Sequence, residues 1–292
     1  MQDALPSRTA QRVAIRRAAH QLLDEPKVFD DPLAIAIAGQ DSAAEHGSSY
    51  SRALRAFIAA RSRYAEDQLA RAVERGVRQY VVLGAGLDTF AYRNPLRSAG
   101  LHVFEVDHPA TQAWKRARLS EANIAIPNQM TFAAVDFGAQ RAFRARFARS
   151  KSETQSLDVR LQEVGFRRTA SAFFSWLGVT PYLSRPAFDA TIQFIAGMPP
   201  GSGVVFDFAL QRSLLSPTQQ PAFDALSERV ARAGEPFQLF FDPAALASDL
   251  ARRGFGDIED LGCGQINARY FAGRSDGLAV MGGGHLLSAQ VS

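Results

Sequence analysis

Val81-Val82-Leu83-Gly84-Ala85-Gly86 closes a short apolar run with two glycines. Glycines there let a backbone turn tightly and approach a ligand at the carboxyl edge of a sheet. A pyrophosphate cradle needs a third glycine three residues on; this chain has Thr89 there, and Asp88 beside it would oppose a phosphate. Glu105 and Asp107 follow Gly86 by 19 and 21 residues, where an acid can accept hydrogen bonds from both hydroxyls of a ribose. Two apart on a strand, they share a face, so spacing does not choose between them. Asp107 also precedes His108-Pro109 and suits a helix cap. Asp136-Phe137 ends a third apolar run, where acid and ring could meet an adenine amino group and its face, or simply close a turn. Arg61 falls on the apolar stripe of Leu54, Phe57, Ile58, Ala65, Leu69 and Ala72. A guanidinium placed so either snorkels out along its stem or faces a buried anion.

Three strand ends thus offer nucleoside contacts without a phosphate cradle. S-adenosylmethionine (SAM) is a nucleoside of that kind, and Arg61 is the candidate cation for its methionine carboxylate.

The elements that must position these groups alternate. Helices are expected over about 7–23 and 51–75, with a turn at Asp30-Asp31-Pro32 and a polar loop at 41–49. Short strands at about 79–83, 101–106, 131–135, 170–176, 203–209, 257–260 and 285–289 are separated by helices near 109–121, 157–164, 185–196, 221–233 and 243–253. That alternation means an α/β chain with a mostly parallel, doubly wound seven-stranded sheet. Residues 1–75 read as a helical N-terminal cap on a core of 76–292, and 210–241 adds to the cap as an insertion after the fifth strand.

Composition excludes several classes. The chain has 292 residues, 47% of them hydrophobic and 21% charged, which suits a folded globular protein rather than a disordered or fibrous one. Cys263 is the single cysteine, so neither a disulfide framework nor a cysteine-rich zinc site can form. No apolar run approaches the ~20 residues of a membrane span, and no secretion signal is visible, so a cytoplasmic home is expected. Arg141, Arg144, Arg146, Arg149 and Lys151 carry the net charge of +4; without those five the chain stands at −1. One basic segment is not the spread, aromatic-interleaved surface of a nucleic-acid binder. It reads as a solvated loop at 141–154, or as a lure for an acidic partner. No metal-ligand spacing stands out, and His20, His46, His102, His108 and His285 suggest no catalytic constellation.

The motifs together resemble those of the SAM-dependent methyltransferases related to leucine carboxyl methyltransferase, in a bacterial branch of that family. The residues that carry the likeness are Asp30-Asp31-Pro32-Leu33-Ala34, Ala60-Arg61-Ser62-Arg63-Tyr64, Leu83 through Thr89 with Tyr92-Arg93, and Phe104-Glu105-Val106-Asp107-His108-Pro109 with Lys115. Val135-Asp136-Phe137, Gly178-Val179-Thr180-Pro181-Tyr182-Leu183 and Arg269-Tyr270-Phe271 complete it. The resemblance implies a Rossmann-like class I fold and O-methyl transfer to a small-molecule acceptor, a carboxylate being one candidate, with S-adenosylhomocysteine (SAH) as product. It implies that Arg61 holds the SAM carboxylate, that Gly84, Ala85, Gly86 and Asp88 form the turn against the methionyl part, that a strand-2 acid takes ribose, and that Asp136 and Phe137 meet adenine.

Leu177 departs from the pattern, since the family often has Glu at that place. Any polar contact from that side chain is lost, which keeps a non-catalytic SAM or SAH binder in play. A nicotinamide oxidoreductase is the remaining alternative, disfavoured by Thr89 and by Arg61. Trp176, Leu177, Thr180 and Tyr182, at the carboxyl end of the fourth strand, either wall an acceptor pocket or belong to the core.

Overall fold

A computed structural model describes residues 8–39, 49–135, 157–232, 234 and 236–292. Ser7, His46, Asp136, Phe137 and the basic segment 141–154 lie outside them. β1 (Gln79–Leu83), β2 (His102–Asp107), β3 (Met130–Ala134), β4 (Ala172–Trp176), β5 (Gly203–Ala209), β6 (Phe255–Leu261) and β7 (Gly284–Val291) form one sheet in the order β3-β2-β1-β4-β5-β7-β6. Every pairing is parallel except those of β7, which runs antiparallel to β5 and β6. The chain winds outward from β1 to β3 and returns to β4 on the other side of β1. Order therefore reverses between β1 and β4, the place where open α/β sheets part to admit ligands.

All five β1 residues are buried, as a strand covered on both faces requires. Tyr80 and Val82 face one layer; Val81 and Leu83 face the other. On the first face lies α3 (Ser49–Glu74), packed against β4, β5 and β7. Its Tyr64 hydroxyl sits 2.8 Å from both Glu259 Oε2 and Ser288 Oγ, which fixes the helix to the antiparallel edge. The opposite layer gathers α6 (Leu157–Glu163), α7 (Arg185–Ala196) and α9 (Pro243–Arg252) over Phe174, Trp176 and Phe206. α1 (Arg8–Leu23) and α2 (Ala34–Ala38) build a third, small cluster in which Ala14, Ala18, Ala34 and Ile37 meet Leu87 of the glycine turn. Residues 8–75 therefore divide: α1 belongs to the strand ends, whereas α3 is a full layer of the sheet.

The remaining helices are α4 (Phe90–Arg93), α5 (Pro109–Glu121), α8 (Gln220–Arg232) and α10 (Cys263–Tyr270). The sequence reading passes over α2 and α10. α2 has five residues, and α10 buries only Ile266, so neither shows a full apolar period. No helix among the described residues is long and apolar enough to cross a membrane.

Candidate active site

A cavity of about 500 Å³ opens at the reversal of strand order. Its floor is the end of β1 with Gly84, Ala85, Gly86 and Asp88; its walls include Asp107, His108, Ser175, Leu177, Tyr182 and Arg61; α1 covers it with Thr9, Ala10, Val13 and Arg17. Gly84 has φ +68°, and a Cβ there would stand 2.4 Å from Val179 Cγ2. Only glycine lets the turn lie against the β4 loop in that conformation. Asp88 accepts from the Phe90 N–H at 2.8 Å, closing the turn into α4.

The two β2 acids part company. Asp107 is on the cavity wall, and its carboxylate accepts from the Gly86 N–H and the His108 N–H, each at 2.6 Å. Burial raises its pKa, and those two bonds oppose the rise. The helix cap is His108 instead, whose Nδ1 accepts from the Ala110 N–H at 3.1 Å. Glu105 is fully buried behind the wall, with Lys115 Nζ 2.6 Å from Oε2 and the Tyr92 hydroxyl donating to it at 3.2 Å. Burial pushes its carboxyl up to about 7 against the pull of Lys115.

α1 is fastened over the turn by buried charge. Arg17 donates through Nε and Nη2 to Asp31, through Nη1 to the Leu87 carbonyl at 3.3 Å, and through Nη2 to the Thr89 hydroxyl at 2.9 Å. The Thr89 hydroxyl donates in turn to Asp31 at 2.7 Å. Arg93 stands 3.4 Å from Asp31 and reaches Glu66 on α3. Burial alone would raise the Asp31 carboxyl; Arg17, Arg93 and Thr89 outweigh it and hold the pKa below the usual range. His20 is spent likewise: Nδ1 lies 2.8 Å from Asp24, and Nε2 accepts from the Val28 and Phe29 N–H groups.

A second chamber of about 410 Å³ adjoins the first and shares Thr9, Val13, Arg61, Gly178 and Tyr182 with it. At this junction Arg61 Nη1 donates to Asp207 Oδ2 of β5 at 3.0 Å, and both residues are buried. The Gly178 N–H takes the other Asp207 oxygen. Gly178 has φ +71°, and a Cβ would come within 2.7 Å of Arg61 Nη2, so glycine is what admits the guanidinium.

Comparison with known proteins decides the family. The family model described as leucine carboxyl methyltransferase matches residues 10–196, more than half of the chain. The chain belongs to the leucine carboxyl methyltransferase family. A Bacillus subtilis protein named as an S-adenosyl-L-methionine-dependent methyltransferase, YktD, is 35% identical over 231 residues, covering 79% of this chain and 71% of that one. A Mycobacterium avium protein named for the same activity is 32% identical over 184 residues, covering 61% and 53%. A solved DUF574 family protein from Streptomyces avermitilis aligns over 98% of both chains with a TM-score of 0.53 at 15% identity, a likeness of fold.

The chain is thus a SAM-dependent methyltransferase on a Rossmann-like class I sheet. Its cavity fits the cofactor's chemistry. Its described wall carries a cation, Arg61, an acid at the end of β2, Asp107, and a close backbone floor in the glycine turn, the group types that a carboxylate and a ribose call for; no lysine stands among the described wall residues to cradle a phosphate. Of the four residues expected at the end of β4, Leu177 and Tyr182 line the methyltransferase cavity. Trp176 and Thr180 do not. Trp176 points to the opposite face, as strand alternation demands, and stacks on Phe188 with centroids 5.5 Å apart. Thr180 is buried, and its hydroxyl donates to the Asp207 carbonyl.

Sequence reasoning missed Asp207, Arg17 and the α1 wall. Asp207 did leave a signal: it is the one charge in the apolar strand Gly203–Ala209. Arg17 left less, being one of several arginines on α1.

Proposed function

We propose that this methyltransferase makes methyl esters, transferring the methyl group to a carboxylate oxygen of a small molecule seated in the second chamber. The chamber's lining carries the reading. Among the described residues it offers Arg12, Arg16, Arg61 and Arg229 against a single acid, Asp207, which Arg61 and the Gly178 N–H already engage. It offers no histidine, cysteine, lysine or glutamate to act as a base. A phenol or alcohol acceptor would need such a base at neutral pH; a carboxylate would not.

In this reading Arg61 holds the cofactor's carboxylate at the junction, and Asp207 fixes the guanidinium's orientation. Asp107 takes the ribose hydroxyls, and the ion pair of Glu105 and Lys115 props the end of β2 from behind. Asp136 and Phe137 remain the proposed adenine contacts. Bound SAM supplies an activated methyl carbon: its bond to the acceptor oxygen forms as its bond to sulfur breaks, the electron pair stays on sulfur, and no proton moves. The chain's own task is then to align the acceptor oxygen and to exclude water. The sulfonium and carboxylate charges cancel as the ester forms, so an apolar wall favours the step.

The test is calorimetric titration of ligand-free protein with SAM, SAH and NADH, followed by a methyl-transfer screen of carboxylic acids. SAM and SAH are expected to bind and NADH to give no heat. The labelled product is expected to release its methyl group in mild alkali, as an ester does. An alkali-stable product would assign a different acceptor atom, and bound SAH with no turnover on any acceptor would leave a binder.

A further inference from the structure

We infer that the acceptor is an amphipathic acid: one carboxylate at the junction, joined to an extended apolar body that fills the chamber beneath α8. The inference rests on the carboxylate reading above and goes on to the rest of the molecule. The chamber's inner wall is Leu54, Phe57, Ile58, Phe208, Leu226 and Phe237, drawn from α3, β5, α8 and the loop after α8. Phe208 is nearly fully buried, and Phe57 lies against Gly284, where a Cβ would be 2.9 Å from the ring. The pocket is therefore a formed one, with a size inside the range of small-molecule sites. At ~30 Å³ for a water-sized group, 410 Å³ holds on the order of a dozen heavy atoms beyond the reacting carboxylate.

The junction sets the orientation. Among the described residues the surface shared with the cofactor cavity is Thr9, Val13, Arg61, Gly178 and Tyr182, so the reacting carboxylate must reach the methyl group across that junction. The other end of the acceptor then lies against Leu226, Phe223 and Met281, an apolar stretch of the wall. A small polar acid would leave the apolar wall wet; a long apolar acid covers it. α8 is the element that measures length. It carries Phe223 and Leu226 toward the chamber, and both side chains are half-buried, so size can change there without disturbing the sheet.

The experiment uses the full chain with saturating SAM. Straight-chain acids from acetate to dodecanoate, and ω-phenyl acids of matching length, are compared by kcat/KM for methyl ester formation. The two series separate an alkyl from an aryl body, and an advantage for the longer members of either supports the inference. The expected rise is about fourfold per buried methylene until the chamber is full. Leu226→Trp should lower the ratio of dodecanoate to butyrate kcat/KM at least tenfold, with the SAH dissociation constant reporting that the cofactor cavity is intact. Esters formed from every acid with no dependence on length would overturn the amphipathic acceptor and leave carboxylate methylation standing. So would a Leu226→Trp loss equal for butyrate and dodecanoate. Failure of every acid while SAH still binds would overturn both.

Discussion

The cavity at the strand ends and the chamber beside it share five described residues yet are built in opposite ways. The first is made of backbone: a glycine turn, two N–H groups held by Asp107, and strand ends set by the sheet. The second is made mostly of side chains from α1, α3, β5, α8 and the loop after α8, elements brought together only by the complete fold. Turns and strand ends obey local rules, so a neighbouring family member can keep the first while its helices remake the second.

The strongest way to break that contrast is Asp31→Asn, because the α1 roof belongs to both spaces. Removing a buried partner of Arg17 and Arg93 should cost about 3–5 kcal/mol in urea unfolding at pH 7. The Asp31 pKa is lowered in the fold, so its contribution is present above the ordinary value of 3.8 and is lost as pH falls through the folded value. The gap between variant and parent should therefore narrow in acid. A gap that stays constant down to pH 2 would mean that Asp31 stabilises without its charge.

Arg61→Ala comes next. Losing a charge-assisted contact should weaken SAH binding by about 1.5–3 kcal/mol, roughly ten- to a hundredfold, measured by calorimetry. Stranding Asp207 in the core should also cost about 3–5 kcal/mol of stability, so affinity is read on the folded variant; an unchanged SAH dissociation constant there would make the Arg61 pair with Asp207 a structural tie only.

Trp176→Phe is the smallest and sharpens the boundary between site and core. Its indole N–H has no hydrogen-bond partner among the described residues, and its ring stacks on Phe188 away from both spaces. SAH affinity should stay within twofold while stability drops by about 1–2 kcal/mol, short of the ~3–5 kcal/mol of truncation to alanine. A tenfold loss of affinity would move Trp176 to the cofactor wall.

The same division explains what was legible before any coordinates. β1, α5, α7 and β5 carry complete signals: a fully buried apolar run, or a proline just inside a helix with a cap before it. The glycine turn and the β2 acids could be found by spacing, because they are read along one strand-turn-helix unit. Which acid lines the cavity could not, since that depends on Lys115 and Tyr92 claiming Glu105 from α5 and α4. Trp176 and Leu177 are neighbours in sequence, and only the pleat says which one is inside. Arg61 and Asp207 lie 146 residues apart, a pairing no local pattern encodes.

Thr89 stands where a dinucleotide-binding relative would carry glycine, and its hydroxyl joins Arg17 to Asp31. A mutation to glycine at this one position would strip a donor and an acceptor from a buried knot of charge before any room for a pyrophosphate was gained. The route to a different cofactor thus begins with a loss of foldedness. A lineage that once ties its roof down through this threonine is ratcheted into its cofactor by the fastening itself.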